Sequence, residues 1–160
     1  MFMCRTTHLQ VKDNRAAVEV VSGVLLLICG CAIYLLFRSS SLNIYKWCSA
    51  LGLTGLIDYF RELVMDWNIP DVIRFSLPDG LYCAAYILIV DAIWHQESGL
   101  QKYIIISLVP IFTIGSELLQ GLSIVRGTFD VFDLICYALP PFTYVLLCIT
   151  SLTIFKKQQV

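Results

Sequence analysis

Apolar residues occur along this chain in runs long enough to cross a lipid bilayer, and short polar segments separate the runs. Four such runs cover approximately residues 17–37, 78–95, 103–122 and 131–155. At about 1.5 Å per helical residue, a run of about 20 residues spans a hydrocarbon core about 30 Å thick. The pattern predicts an all-α integral membrane protein, built as a small bundle of four transmembrane helices in a single domain over 1–160.

The segment 42–65 has a different pattern. Its apolar residues recur at steps of three and four, but charged residues such as Lys46, Asp58 and Arg61 interrupt it. This pattern is typical of an amphipathic helix on the membrane surface, and a fifth, polar span is the alternative. Because an ionised group at mid-bilayer costs at least about 2.5 kcal/mol, we expect the surface helix. The Lys and Arg count is nearly even in both topologies and does not decide between them.

Two of the four runs contain proline. Pro110 lies inside the third run, where neighbouring helices can satisfy the freed carbonyl. Pro140 and Pro141 lie inside the fourth run and predict a kink or a break there. Three basic residues precede the first run, which is too long for the apolar part of a secretory signal. We therefore expect an uncleaved N-terminal anchor whose N-terminus faces the cytoplasm.

The composition of the chain narrows the class of protein further. Apolar residues make up 58% of the chain, charged residues 14%, and the formal net charge is −1. A soluble globule carries more charge, and a nucleic-acid partner would favour a basic surface. The seven cysteines contain no C-x-x-C pair and the two histidines are far apart. We interpret the cysteines as small apolar fillers and expect neither a metal site nor a cofactor.

Two polar clusters have the composition of helix starts. Ser76, Pro78 and Asp79 match an N-cap, a first-turn proline and a first-turn acid at the start of the second span. Asp130 and Asp133 match an N-cap and a first-turn acid at the start of the fourth span. Capping alone would explain both clusters, although it leaves two carboxylates, three residues apart, on one helix face.

Capping does not explain Glu117. This residue and Gln120 share a face near the C-terminal end of the third span, where a negative charge opposes the helix dipole. An acid at that depth is a functional-site hypothesis by default. The structural alternative is a Glu117–Arg126 ion pair that fixes two helices.

The topology brings these groups to one membrane face, because the second and fourth spans start where the third span ends. We therefore predict one polar pocket that opens from one leaflet. Its candidate binding residues are Asp79, Tyr82, Glu117, Gln120, Arg126, Asp130, Asp133 and Tyr137.

The same polar residues resemble the motif of the VanZ-like family. That family has a Glu and a Gln on one helix, then an Arg, then an Asp at the start of the last span, and Glu117, Gln120, Arg126 and Asp133 follow this order. The segment around Asp79 resembles the family's aspartate-led helix start. The resemblance covers about 76–140.

Two features of the chain differ from the family pattern. Arg126 lies one place earlier relative to the aspartates, and Tyr137 and Pro140 stand where the family has Asn and Gly. The resemblance implies a multi-pass protein of the bacterial inner membrane. It also implies a link to tolerance of glycopeptide antibiotics and the cell envelope, by a mechanism that is not understood.

Several functions fit these expectations. The first is a non-enzymatic protein that binds a lipid-linked or amphiphilic molecule at one leaflet. A second is an intramembrane enzyme acting on a lipid head group or envelope precursor with clustered carboxylates, with or without Mg²⁺, although no nucleophile motif accompanies them. Transport and a structural or partner-binding role remain further alternatives, and small residues such as Gly23 and Gly30 leave a homo-oligomer open.

Overall fold

The apolar runs fold as helices in the computed structural model of the protein, which describes residues 3–97 and 99–158, with side chains for 14–97 and 99–150. These ranges form seven α-helices and contain no strand. The helices are α1 Met3–Phe37, α2 Asn43–Ala50, α3 Thr54–Val64, α4 Asp71–Phe75, α5 Leu77–Ile93, α6 Leu100–Gly121 and α7 Val131–Gln158.

Three of the helices are long and apolar enough to cross a membrane: Asn14–Phe37 within α1, Leu100–Gly121, and Val131–Thr150 within α7. The all-helical fold and the membrane class predicted from the sequence are thus confirmed at this level. The remaining predicted span corresponds to α5, whose 17 residues measure about 26 Å at about 1.5 Å per residue.

Helix α5 lies at the centre of the bundle and packs against α1, α6 and α7. Its inward positions are almost completely buried, with Cys83 1%, Ala85 0% and Ile87 2% exposed. Because it is surrounded on three sides by other helices, α5 determines how the polar ends of its neighbours meet.

The single amphipathic helix predicted over 42–65 is wrong. This segment forms two short helices, α2 and α3, separated at Leu51, Gly52 and Leu53. Gly52 has a φ of +73°, in the left-handed region that glycine adopts readily and that ends a helix. With 8 and 11 residues, the two helices measure about 12 Å and 17 Å, too short to span a bilayer.

The double proline was predicted to kink or break the fourth span, and the break is wrong because α7 continues through Pro140 and Pro141. Pro141 cannot donate to the carbonyl of Tyr137, four residues earlier. The Cys83 thiol of α5 donates to that carbonyl instead, with a sulfur–oxygen distance of 3.7 Å. A neighbouring helix thus satisfies a carbonyl that the proline leaves free.

Glycines allow α5 to approach its neighbours closely. A Cβ on Gly80 would lie 2.9 Å from the carbonyl oxygen of Cys136 in α7. In α1, Gly30 faces the ring of Tyr82 and Gly23 also contacts α5. The small residues that suggested a partner helix therefore pack within this chain.

Candidate functional site

The C-terminal ends of α1 and α6 and the N-terminal ends of α5 and α7 meet at one pole of the bundle. Three carboxylates and one phenol from α5, α6 and α7 are close enough there to interact electrostatically. We call Asp79, Glu117, Asp133 and Tyr137 the acidic cluster. The sequence predicted that these four residues converge, and the structure brings them together.

Glu117 is the most buried carboxylate of the acidic cluster, with 6% of its surface exposed. Its Oε2 atom accepts one hydrogen bond, from the backbone N–H of Asp130 at 3.5 Å. Asp133 and Asp130 are close enough to repel a negative charge on Glu117. An ionised Glu117 would therefore be desolvated, weakly hydrogen-bonded and near like charges, which is an unfavourable state without a further donor.

Asp79 lies between α1 and α7. Arg38 is its attractive charged neighbour, Asp133 and Glu117 are repulsive ones, and the Tyr137 hydroxyl interacts with its carboxylate. The Oδ1 atom of Asp133 is buried without a hydrogen-bond partner. The cluster therefore holds three acids beside one arginine, and this imbalance favours hydrogen-bond donors or a positive charge.

The start of α7 shows which aspartate has a local structural role. The Oδ1 atom of Asp130 accepts a hydrogen bond from the N–H of Phe132 at 2.8 Å, so Asp130 caps the helix as its sequence position predicts. Asp133 makes no such cap and instead faces Asp79 and Glu117. Asp130 is thus a structural neighbour of the acidic cluster.

Three other predicted residues lie apart from the acidic cluster. Tyr82 points towards α1, where its hydroxyl donates to the Cys31 sulfur at 3.6 Å. The Gln120 side chain packs against Gly127 in the following loop. Arg126 is exposed in that loop and makes no salt bridge among the described side chains, so the predicted Glu117–Arg126 pair is not formed. Glu117 faces inward towards α7, whereas the loop lies at the surface.

Arg38 was missed in the candidate set. It follows the first apolar run, and its guanidinium lies over the rings of Tyr34 and Phe75, at 4.7 Å and 5.2 Å from the ring centroids. Only the fold brings Arg38 near Asp79, which is far from it in sequence. The sequence feature that could have identified Arg38 is its position, since Arg38 follows the first span and Asp79 begins the second span at the same pole.

A second charged network, at the opposite pole, was also missed. Asp91 of α5 is 5% exposed, and its Oδ1 atom lies 2.6 Å from Lys102 Nζ of α6. The Tyr144 hydroxyl of α7 donates to the same oxygen at 2.6 Å. Arg15 of α1 lies 3.6 Å from Asp91 Oδ2 and 2.7 Å from Glu19 Oε1. We call these five residues the ionic clasp, because they connect four helices.

The acidic cluster does not have the geometry of a metal centre. No group of three His, Cys, Asp or Glu residues within the described residues is placed to hold a metal ion. The carboxylates interact electrostatically, but they do not converge on one point where a metal ion could bind. This geometry therefore gives no support to the metal-dependent form of the enzyme hypothesis.

Comparison with family models, curated proteins and solved structures found no match for this chain.

Proposed function

We propose that the protein is a multi-pass membrane protein that binds an amphiphilic or lipid-linked molecule at one leaflet, with the acidic cluster meeting its head group. The observation that carries this proposal is the burial of Glu117 beside Asp79 and Asp133 at one end of the bundle. Acids that serve only as helix caps would not be gathered from three helices.

The proposal includes α5 as a fourth span. At about 26 Å it is slightly shorter than a typical hydrocarbon core of about 30 Å, and three helices surround it. A central helix needs less apolar length because its ends contact protein. Helices α2 to α4 connect α1 to α5 at the pole that holds the acidic cluster, which suits segments lying on one membrane surface.

The chemistry of the acidic cluster indicates which head groups would fit. Its three carboxylates attract ammonium groups and accept hydrogen bonds from hydroxyl groups, whereas the neighbouring guanidinium only donates. Asp133 Oδ1 and Glu117 have unused accepting capacity. A ligand rich in hydroxyl or amine donors would supply the missing bonds, and a purely apolar ligand would leave them unmade.

The resemblance of the polar motif to the VanZ-like family supports a narrower form of the proposal. In that form the chain is a VanZ-like protein of the bacterial inner membrane, and its ligand belongs to the cell envelope. Tolerance of glycopeptide antibiotics would then be the cellular phenotype to measure.

The test is a thermal-shift screen of the purified full-length chain in detergent against amphiphiles and lipid-linked envelope precursors. We expect a saturable stabiliser whose effect is lost in Glu117→Gln and reduced in Asp79→Asn and Asp133→Asn. Glu97→Gln makes the same chemical change on an exposed side chain at the opposite pole, and it should retain binding. Equal binding by Glu117→Gln, or no saturable stabiliser in the screen, would refute the proposal.

A further inference from the structure

The pole that holds the acidic cluster also carries three partly buried arginines, of which Arg38 is the attractive neighbour of Asp79. Arg38 directly follows α1, Arg61 lies in α3 and Arg74 lies in α4. None forms a salt bridge within the part of the chain whose side chains are described. Arg61 and Arg74 thus lose hydration without gaining a counter-charge at salt-bridge distance, which is unfavourable for a guanidinium group.

Each of the three arginines has one buried N–H donor without an acceptor. These atoms are Arg38 Nε, Arg61 Nη1 and Arg74 Nε. Arg61 Nη2 donates to the carbonyl of Arg38 at 2.8 Å, and Arg38 Nη1 donates to the Tyr34 hydroxyl at 3.2 Å. A charged donor that is buried without a partner is costly, so this group of arginines is suited to receive an acceptor from outside the chain.

Two of these arginines line a cavity of about 540 Å³ between the end of α1, α3 and α4. Leu36 and Phe37 of α1 also line it, as does Trp67. The cavity thus combines guanidinium groups with apolar walls next to the end of a candidate span. This combination matches the region of a bilayer where a phosphate group joins acyl chains.

Two acids also line this cavity, and both are exposed. Asp58 accepts a hydrogen bond from the Tyr45 hydroxyl, and this bond raises the pKa of the Tyr45 phenol above its ordinary value. Glu62 is exposed to solvent. Neither acid lies within salt-bridge distance of Arg61 or Arg74, so the guanidinium groups keep their capacity for another anion.

We propose that this arginine cavity binds the phosphate group of a membrane phospholipid. Arginine forks suit the oxygens of a phosphate, and the apolar walls suit the start of its acyl chains. The inference goes beyond the acidic cluster and does not depend on it, because the two sites use different side chains and attract opposite charges.

The experiment uses native mass spectrometry of the purified full-length chain, titrated with phosphatidic acid and, separately, with diacylglycerol of the same acyl chains. We expect saturable binding of phosphatidic acid and at least about tenfold weaker binding of diacylglycerol, which lacks the phosphate. The double variant Arg61→Gln/Arg74→Gln should lose at least about tenfold in affinity for phosphatidic acid. Arg74→Lys keeps the positive charge but removes the two-pronged guanidinium geometry, so it should give a smaller loss of affinity. This single variant keeps the proposal testable if the double variant does not fold.

Lys46→Gln is the matched control, since Lys46 is an exposed cation of α2 outside the cavity. It should leave the affinity unchanged within about twofold. An equal loss in Lys46→Gln would show nonspecific attraction to an anionic surface and overturn the proposal. Displacement of phosphatidic acid by an equal concentration of inorganic phosphate would show a free anion as the ligand and also overturn it. Loss of lipid binding in the arginine variants but not in Glu117→Gln would separate this site from the acidic cluster.

Discussion

Replacing Asp91 with Asn tests the ionic clasp directly. The change keeps the size of the side chain and removes its negative charge. Asp91 and Lys102 are both buried, with 5% and 9% of their surfaces exposed, and their closest oxygen and nitrogen atoms are 2.6 Å apart. In Asp91→Asn the ammonium group of Lys102 would therefore lose its nearest counter-charge without gaining access to water.

The size of the effect follows from how each partner is buried. Removing one member of a buried ion pair typically costs about 3–5 kcal/mol, because an uncompensated charge remains. The Asn oxygen can still accept from the Tyr144 hydroxyl, which contacts Asp91 at 2.6 Å, so part of the interaction survives. Arg15 adds little, since its side chain is 70% exposed and lies 3.6 Å away. We therefore expect a loss of about 3 kcal/mol in the free energy of unfolding.

The assay is SDS-induced unfolding of the purified chain in mixed micelles, followed by circular dichroism. Asp66→Asn is the matched control, because Asp66 is exposed between α3 and α4. This variant should unfold like the parent chain. The double variant Asp91→Asn/Lys102→Met removes the orphaned cation, so it should be more stable than Asp91→Asn alone. The reasoning is refuted if Asp91→Asn unfolds within about 0.5 kcal/mol of the control, or if the second substitution destabilises it further.

Two further predictions concern packing and topology. Gly80→Ala should destabilise the bundle by about 1–3 kcal/mol, because the new Cβ would lie 2.9 Å from the carbonyl oxygen of Cys136. Gly115→Ala has open space around the new Cβ and should not destabilise, so equal losses in the same assay would contradict the packing. Single cysteines replacing Lys46 and Arg126, both exposed, should react with an impermeant maleimide from the same side of sealed vesicles. Reaction from opposite sides would rule out the four-span arrangement.

The long apolar segments were predictable because their signal is local. The described ends of α5, α6 and α7 lie within three residues of the predicted runs, and α1 ends at Phe37 as expected. The pattern of apolar residues failed at two places, one decided by backbone conformation and one by a tertiary contact. Gly52 divides the surface segment through its backbone conformation, and the Cys83 thiol provides a donor where the double proline removes one.

The acidic cluster was predictable because helix direction decides which chain ends meet. Asp79, Glu117 and Asp133 lie near ends that share a pole in any up-and-down bundle of four spans. The cationic partner of these acids was less predictable, because an arginine in the adjoining loop is an easier guess than one distant in sequence. Arg126 was therefore expected beside Glu117, whereas Arg38 is the arginine near the cluster.

The two poles of the bundle use charge in different ways, and α5 connects them. At one pole Asp91 has two cations and a phenol around it, so its charge is compensated within the chain. At the other pole Asp79 belongs to a group of acids that a single arginine does not balance. The same short helix thus carries a satisfied carboxylate at one end and an unsatisfied group at the other. The ionic clasp therefore holds α5 against its neighbours with groups that are satisfied within the chain, whereas the proposed ligand would supply the donors that the acidic cluster lacks.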